Sequence, residues 1–163
     1  MSTIFTTGIN PDFAMTYTEF TIRLLAGLVA GLIIGIEREW QNKPAGIRTN
    51  TLVATGAALF VLLAFNIAEA YPGVTDVGRI IGQVVTGIGF LGAGIIFKEG
   101  GDVYGLTTAA TIWCSAAVGC FAGAGFFFEV AIGVVAIVGV NMLLIPLDKW
   151  LSARAKRKNG QRS

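Results

Sequence analysis

Long apolar runs, punctuated by short polar or glycine-bearing breaks, set the rhythm of the chain. Runs over residues 18–36, 49–68, 77–97, 106–122 and 126–147 each approach the roughly 20 mainly apolar residues that cross a hydrocarbon core of about 30 Å. Between them stand Lys43-Pro44-Ala45-Gly46, Tyr71-Pro72-Gly73, Glu99-Gly100-Gly101-Asp102 and Gly123-Ala124-Gly125, all of turn-forming composition. The pattern predicts an all-α integral membrane protein of about five transmembrane helices. A short external segment (1–17) would precede the helical domain (18–147), and a basic cytoplasmic tail (148–163) would follow it.

Composition sharpens this reading. Of 163 residues, 54% are hydrophobic and only 13% are charged, with a mean hydropathy of +0.71. A soluble domain carries about a quarter charged residues. The first seventeen residues hold no Lys or Arg and no small-residue cleavage site, so the first run is expected to be a retained span rather than a signal peptide. Orientation follows from the basic residues. Arg38, Lys43 and Arg48 follow run one, Lys98 follows run three, and Lys149, Arg154, Lys156, Arg157, Lys158 and Arg162 fill the tail. The opposite loops hold none, and only Arg23 and Arg79 lie within runs. Basic loops stay cytoplasmic, which puts the C-terminus in the cytoplasm and the N-terminus outside.

Glycine suggests how the helices meet. Gly27, Gly31 and Gly35 recur every four residues, as do the pairs Gly78/Gly82 and Gly119/Gly123. Small residues at this spacing allow close helix approach in lipid, either within one chain or along a homodimer seam. Gly87-Ile88-Gly89-Phe90-Leu91-Gly92 matches the dinucleotide-binding fingerprint, but it lies inside an apolar run with no preceding strand, so it is assigned to helix packing.

Ionisable residues within a span cost at least about 2.5–3.5 kcal/mol each and call for a reason. Asp76, Arg79 and Gln83 share one helical face, Glu19 and Arg23 form an i, i+4 pair, and Glu129 opens the last run. Together they are expected to form a buried polar layer toward the outside. It would serve either as a register-fixing set of salt bridges or as a cation, proton or partner-docking site. A second polar group comprises Glu37, Arg38, Glu39, Lys43, Arg48 and Asn50. Glu37 and Glu39, with Glu99 or Asp102, offer oxygen ligands that suit Mg²⁺, yet the interleaved basic residues favour a solvated, salt-bridged loop. Thr107, Thr108, Thr111 and Ser115 are expected to bond back to carbonyls one turn earlier.

Other chemistry is limited. There is no histidine, which excludes Ser-His-Asp and Cys-His nucleophile systems. Cys114 and Cys120 lie roughly 120° apart around one helix and read as packing residues. The tail around Arg154–Lys158 could meet anionic lipid headgroups. It has no aromatic stacking platform for nucleic acid. The sequence points to no enzyme and no cofactor.

Several segments resemble the membrane domain of the MgtC/SapB family: Gly35-Ile-Glu37-Arg38-Glu39, Lys43-Pro44-Ala45-Gly46-Ile47-Arg48-Thr49, Gly56-Ala-Ala-Leu-Phe60, Asp76-Val-Gly-Arg79-Ile-Ile-Gly-Gln83, Gly87-Ile-Gly89-Phe-Leu-Gly92-Ala-Gly94 and Gly105-Leu-Thr-Thr-Ala-Ala-Thr-Ile-Trp113. They span roughly residues 20–125. The resemblance implies a bacterial inner-membrane protein linked to magnesium limitation and to survival inside host cells. The family's best-known member is described as inhibiting the F-type ATP synthase, and an older view placed the family in magnesium transport. The family's polar motif positions fall on Glu37, Arg38, Glu39, Arg48, Asp76, Arg79 and Gln83. Two features depart from the family: many members carry His where this chain has Asn50, and longer members append a soluble C-terminal domain, whereas a sequence ending about sixteen residues beyond Leu147 is expected to be a short SapB-like member. The leading expectation is a non-enzymatic regulator acting through helix contacts, with ATP synthase as the expected partner and a homodimer as the expected assembly. The alternatives are a magnesium or proton transporter or channel built on the Asp76/Arg79/Gln83 layer, and a structural dimeric scaffold.

Overall fold

The computed structural model describes residues 15–71, 73 and 76–159, with side chains through residue 144. Most of the external segment and residues 160–163, Arg162 among them, lie outside the described residues. Five helices form: α1 (Tyr17–Trp40), α2 (Ile47–Ala70), α3 (Val77–Ile95), α4 (Leu106–Ala124) and α5 (Phe127–Asn159). All five are long and apolar enough to cross a membrane, α5 through its Phe127–Leu144 stretch. The backbone of α5 continues as helix to Asn159, so most of the expected tail prolongs the last helix.

Local chemistry explains where the helices start and stop. Thr16 and Glu19 form a reciprocal capping box that opens α1, satisfying two of its free amides. Asp76 caps α3, its Oδ1 accepting from the amides of Gly78 (2.9 Å) and Arg79 (3.3 Å). α4 ends in a Schellman turn. Gly125 adopts φ +84°, Phe126 N–H donates to Phe121 O at 3.0 Å, and the two rings meet edge to face at 6.3 Å.

The Glu99–Asp102 break differs from the expected simple turn. Phe97–Glu99 (β1) and Asp102–Tyr104 (β2) pair as an antiparallel hairpin in the register Phe97 to Tyr104. Gly100 and Gly101 hold φ of +59° and +98°, the left-handed conformation that two-residue hairpin turns require. Phe97 and Tyr104 stack at 5.5 Å. The third span accordingly ends at Ile95 rather than at Phe97.

α1, α2 and α4 make the most extensive contacts, with α3 against α4 and α2, and α5 against α4 and α1. Their core holds Ala30 and Ile34 of α1, Ala54, Ala58, Val61 and Leu62 of α2, and Ile112, Ala116 and Ala122 of α4. α2 runs very close to both neighbours. A Cβ on Gly31 would lie 2.6 Å from Asn50 O, one on Gly35 2.6 Å from Ile47 Cα and one on Gly123 2.6 Å from Ala58 O, and one on Gly119 would run into Ala54 O. α3 is different: Gly92 is its one buried residue, meeting Ala109, while Gly82, Gly87, Gly89 and Gly94 face nothing within 4 Å.

Gly119→Ala is therefore expected to destabilise the bundle by about 1–3 kcal/mol through overpacking against the α2 backbone. Gly89→Ala is expected to be neutral or slightly stabilising. Unfolding free energies in mixed detergent micelles check both. Equal effects would mean that α2 does not approach α4 this closely.

Candidate functional site

At the end of the bundle where α1 finishes and α2 and α4 begin, polar side chains are covered by the protein itself. Glu37 is 6% exposed, Arg38 1% and Asn50 0%, with Thr108, Thr111 and Ser115 also buried. The solvated loop expected around this motif is corrected here. Glu39, Lys43 and Arg48 are exposed, but α1 extends past Ile36 to Trp40 and carries Glu37 and Arg38 into the interior.

Adjacent residues on a helix point about 100° apart, and Glu37 and Arg38 use that difference to reach separate neighbours. The Glu37 carboxylate accepts from Asn141 Nδ2 of α5 at 2.9 Å and from Gln41 Nε2 one turn on. The Arg38 guanidinium turns the other way, donating to Thr108 Oγ1 of α4 at 2.8 Å and to Pro44 O at 3.1 Å. Its Nε is buried and has no hydrogen-bond partner. Opposite charges on consecutive residues offset part of the large desolvation cost that either would carry alone.

Asn50 organises the neighbouring loop. Its Nδ2 donates to Ala45 O (2.5 Å) and Gly46 O (3.1 Å). That holds Ala45 at φ +56°, a left-handed conformation costing about 1–2 kcal/mol for a residue with a Cβ. Asn50 Oδ1 faces Ser115 Oγ of α4 at 2.8 Å, and Thr111 O lies 3.0 Å from the same hydroxyl. A serine has one hydroxyl hydrogen, so the two acceptors share it in alternation. Beside this cluster, Glu39 Oε2 approaches Ile47 N–H at 3.4 Å, at the start of α2 where no side chain caps the helix.

The second predicted layer is not gathered. Glu19, Asp76, Arg79, Gln83 and Glu129 are exposed and Arg23 is half-buried. Glu19 and Asp76 serve as helix caps, and Glu129 lies in the first turn of α5, where a negative charge opposes the helix dipole favourably. Arg23 instead reaches the α4–α5 turn: a Cβ on Gly125 would sit 3.1 Å from its guanidinium carbon. Of the glycines singled out for packing, Gly27, Gly31, Gly35 and Gly92 are buried, while Gly89 and Gly94 are exposed.

Sequence reasoning missed the role of Thr108, Ser115, Gln41 and Asn141. Back-bonding describes Thr111, which donates to Thr107 O at 2.9 Å, and one of the two alternatives of Ser115, whose hydroxyl lies 3.0 Å from Thr111 O. Thr108 serves Arg38 instead. An asparagine late in an apolar span was the available signal for Asn141. Among the described residues, no group of three or more His, Cys, Asp or Glu stands together to hold a metal ion. The arrangement joins α1, α2, α4 and α5 through hydrogen bonds, with a fixed positive charge at its centre.

Comparison with known proteins gives a consistent picture. The sequence model of the MgtC family matches residues 24–150. The chain is 50% identical over 139 residues to Protein MgtC of Brucella abortus (strain 2308), covering 85% of this chain and 57% of that protein. It is 47% identical over 130 residues to Protein MgtC of Salmonella typhimurium (strain LT2), covering 80% and 54%. A Synechocystis protein described as uncharacterised is 46% identical over 139 residues, covering 85% and 57%. The chain thus spans a little over half the length of these relatives. No solved structure matches it.

Arg38→Met is expected to cost about 3–5 kcal/mol, because it leaves the Glu37 charge buried without its compensating neighbour. Ser115→Ala should cost about 1 kcal/mol, the worth of one hydrogen bond. The same micelle unfolding measurement ranks them, and a milder effect for Arg38→Met than for Ser115→Ala would mean that the guanidinium is not part of the framework.

Proposed function

The chain belongs to the MgtC family, and from that premise we propose that it is a non-enzymatic regulator in the bacterial inner membrane, linked to magnesium limitation and virulence. It acts by docking helix to helix on another membrane complex, with the F-type ATP synthase as the expected partner. In this reading the N-terminus is outside, the C-terminus is cytoplasmic, and the protomer can pair as a homodimer. The buried Glu37/Arg38/Asn50 cluster then sits at the cytoplasmic end and braces the bundle rather than contacting the partner.

The observation that carries this reading is the uncovered face of α3. Gly78, Gly82, Thr86, Gly89 and Ala93 fall on one stripe of that helix, and all five are exposed. Thr86 turns its hydroxyl back onto Gly82 O at 2.9 Å, which leaves the stripe smooth and apolar. A smooth small-residue stripe favours close approach of another helix in lipid. Arg79, exposed beside the stripe, would be carried toward proton-bearing carboxyl groups of the partner. Ion conduction by one protomer is less well supported. The buried polar groups Glu37, Arg38, Asn50, Thr108, Thr111 and Ser115 collect near one end, while Val61, Leu62, Ala64 and Ala122 fill the core toward the other.

Inverted membrane vesicles test the reading. With the protein present, acidification driven by ATP should fall while acidification driven by respiration is unchanged. Gly82→Leu and Gly89→Leu, which alter the stripe without touching the bundle, should restore the ATP-driven signal. Loss of both gradients would replace regulation with ion conduction, and no change in either would sink the ATP synthase assignment.

A further inference from the structure

The last helix is longer than the membrane it crosses. The Phe127–Leu144 stretch of α5 covers about 27 Å at 1.5 Å per residue, close to the roughly 30 Å of hydrocarbon. The hydrogen bond between Asn141 and Glu37 sets this end of the span level with the end of α1. From Ile145 the backbone stays helical to Asn159, which adds about 22 Å.

That extension concentrates positive charge. Lys149, Arg154, Lys156, Arg157 and Lys158 stand against Asp148 alone, while the whole chain carries only +2, so the remainder of the chain is net negative. Leu147, Trp150, Leu151 and Arg154 fall at i, i+3, i+4 and i+7 on one stripe of the helix, and Lys149, Ser152 and Lys156 fall on the opposite side. Pro146 stands where the extension leaves the span. It has no N–H for the carbonyl of Met142, and its ring crowds that carbonyl, so a bend is favoured there.

We propose that α5 turns at Pro146 and that residues 147–159 lie along the cytoplasmic leaflet, with their basic residues binding the phosphates of anionic phospholipids. A straight helix normal to the membrane would carry Arg154–Lys158 about 15–21 Å past Leu144, clear of a headgroup layer about 5–7 Å deep. A Debye length of about 8 Å would screen them there, and Trp150 and Leu151 would stand in water. A bend removes both penalties. It brings the Leu147/Trp150/Leu151 stripe to the interface, where such residues are favoured, and long Arg and Lys stems let their charges reach the phosphates. Clusters of about four to eight Lys and Arg beside a span are drawn to anionic lipid in this way. The span itself keeps the helix at that surface. The inference rests on the cytoplasmic placement of the C-terminus and not on which complex the protein regulates.

The test reconstitutes the full chain into lipid nanodiscs of phosphatidylcholine, with or without phosphatidylglycerol. With Cys114 and Cys120 replaced by Ala, a nitroxide is attached at Leu151→Cys or at Ser152→Cys, and its collisions with a water-soluble nickel chelate are measured. In discs containing phosphatidylglycerol the label at position 151 should be several-fold less accessible than the label at 152. Salt at about 1 M, where the Debye length falls to about 3 Å, should erase that difference, as should replacing Arg154, Lys156 and Arg157 together by Gln. Equal accessibility in the anionic discs would overturn the proposal and leave the basic helix to an acidic protein. The same shielding in phosphatidylcholine alone would also overturn it, since contact would then need no anionic lipid. Both leaflets of a disc have one composition, so this result does not depend on orientation. Labelling of Ser152→Cys by an impermeant maleimide in intact cells would show separately that the C-terminus is outside, and would remove the cytoplasmic leaflet from the proposal.

Discussion

Hydrocarbon offers no partner to a polar group, and the organisation of this bundle follows from how its interior polar groups are satisfied. Arg38 and Asn50 are almost wholly covered, so each must find its hydrogen bonds inside the protein. Arg38 takes Thr108 of α4 and the carbonyl of Pro44. Asn50 takes the carbonyls of Ala45 and Gly46 and faces Ser115. The two side chains thereby fix the α1–α2 loop and set the position of α4 against it. Glu37 extends the tie to α5 through Asn141.

That framework depends on α2 lying almost backbone to backbone with its neighbours. Gly31, Gly35, Gly119 and Gly123 leave no room for a Cβ against α2. Without such approach Asn50 could not span to Ser115 at 2.8 Å. The resulting molecule has a close-packed centre, α1, α2 and α4, beside a helix, α3, that buries Gly92 alone. Glycines of the same kind have opposite consequences in the two parts. In α1 and α4 they are filled by another helix, whereas on α3 they leave an open stripe.

How much of this was legible in the sequence depends on the range of the interactions involved. Hydropathy, glycine and proline placement and capping residues are local, and they placed five helices and their breaks. The helices themselves showed two deviations. α1 runs on to Trp40 because Glu37 and Arg38 are paid for by tertiary partners, and a hairpin replaces a turn because Gly100 and Gly101 both accept positive φ. The motif segments also carried the family assignment that the comparisons then supplied.

The polar sites divided differently. Both groups were visible as charged residues in or beside apolar runs, yet sequence could not say which would be covered. Asp76, Arg79 and Gln83 share a helical face, but all three stay exposed, and Asp76 spends its carboxylate on its own helix. Glu37, Arg38 and Asn50 have the composition of a loop but become the interior, through partners 104, 70 and 65 residues away. Sequence by itself determined the membrane helices and the family, because hydropathy and local motifs suffice for both. Tertiary structure alone decided which charges are buried and which glycines stay open, because burial depends on how each helix is rotated against neighbours distant in the chain.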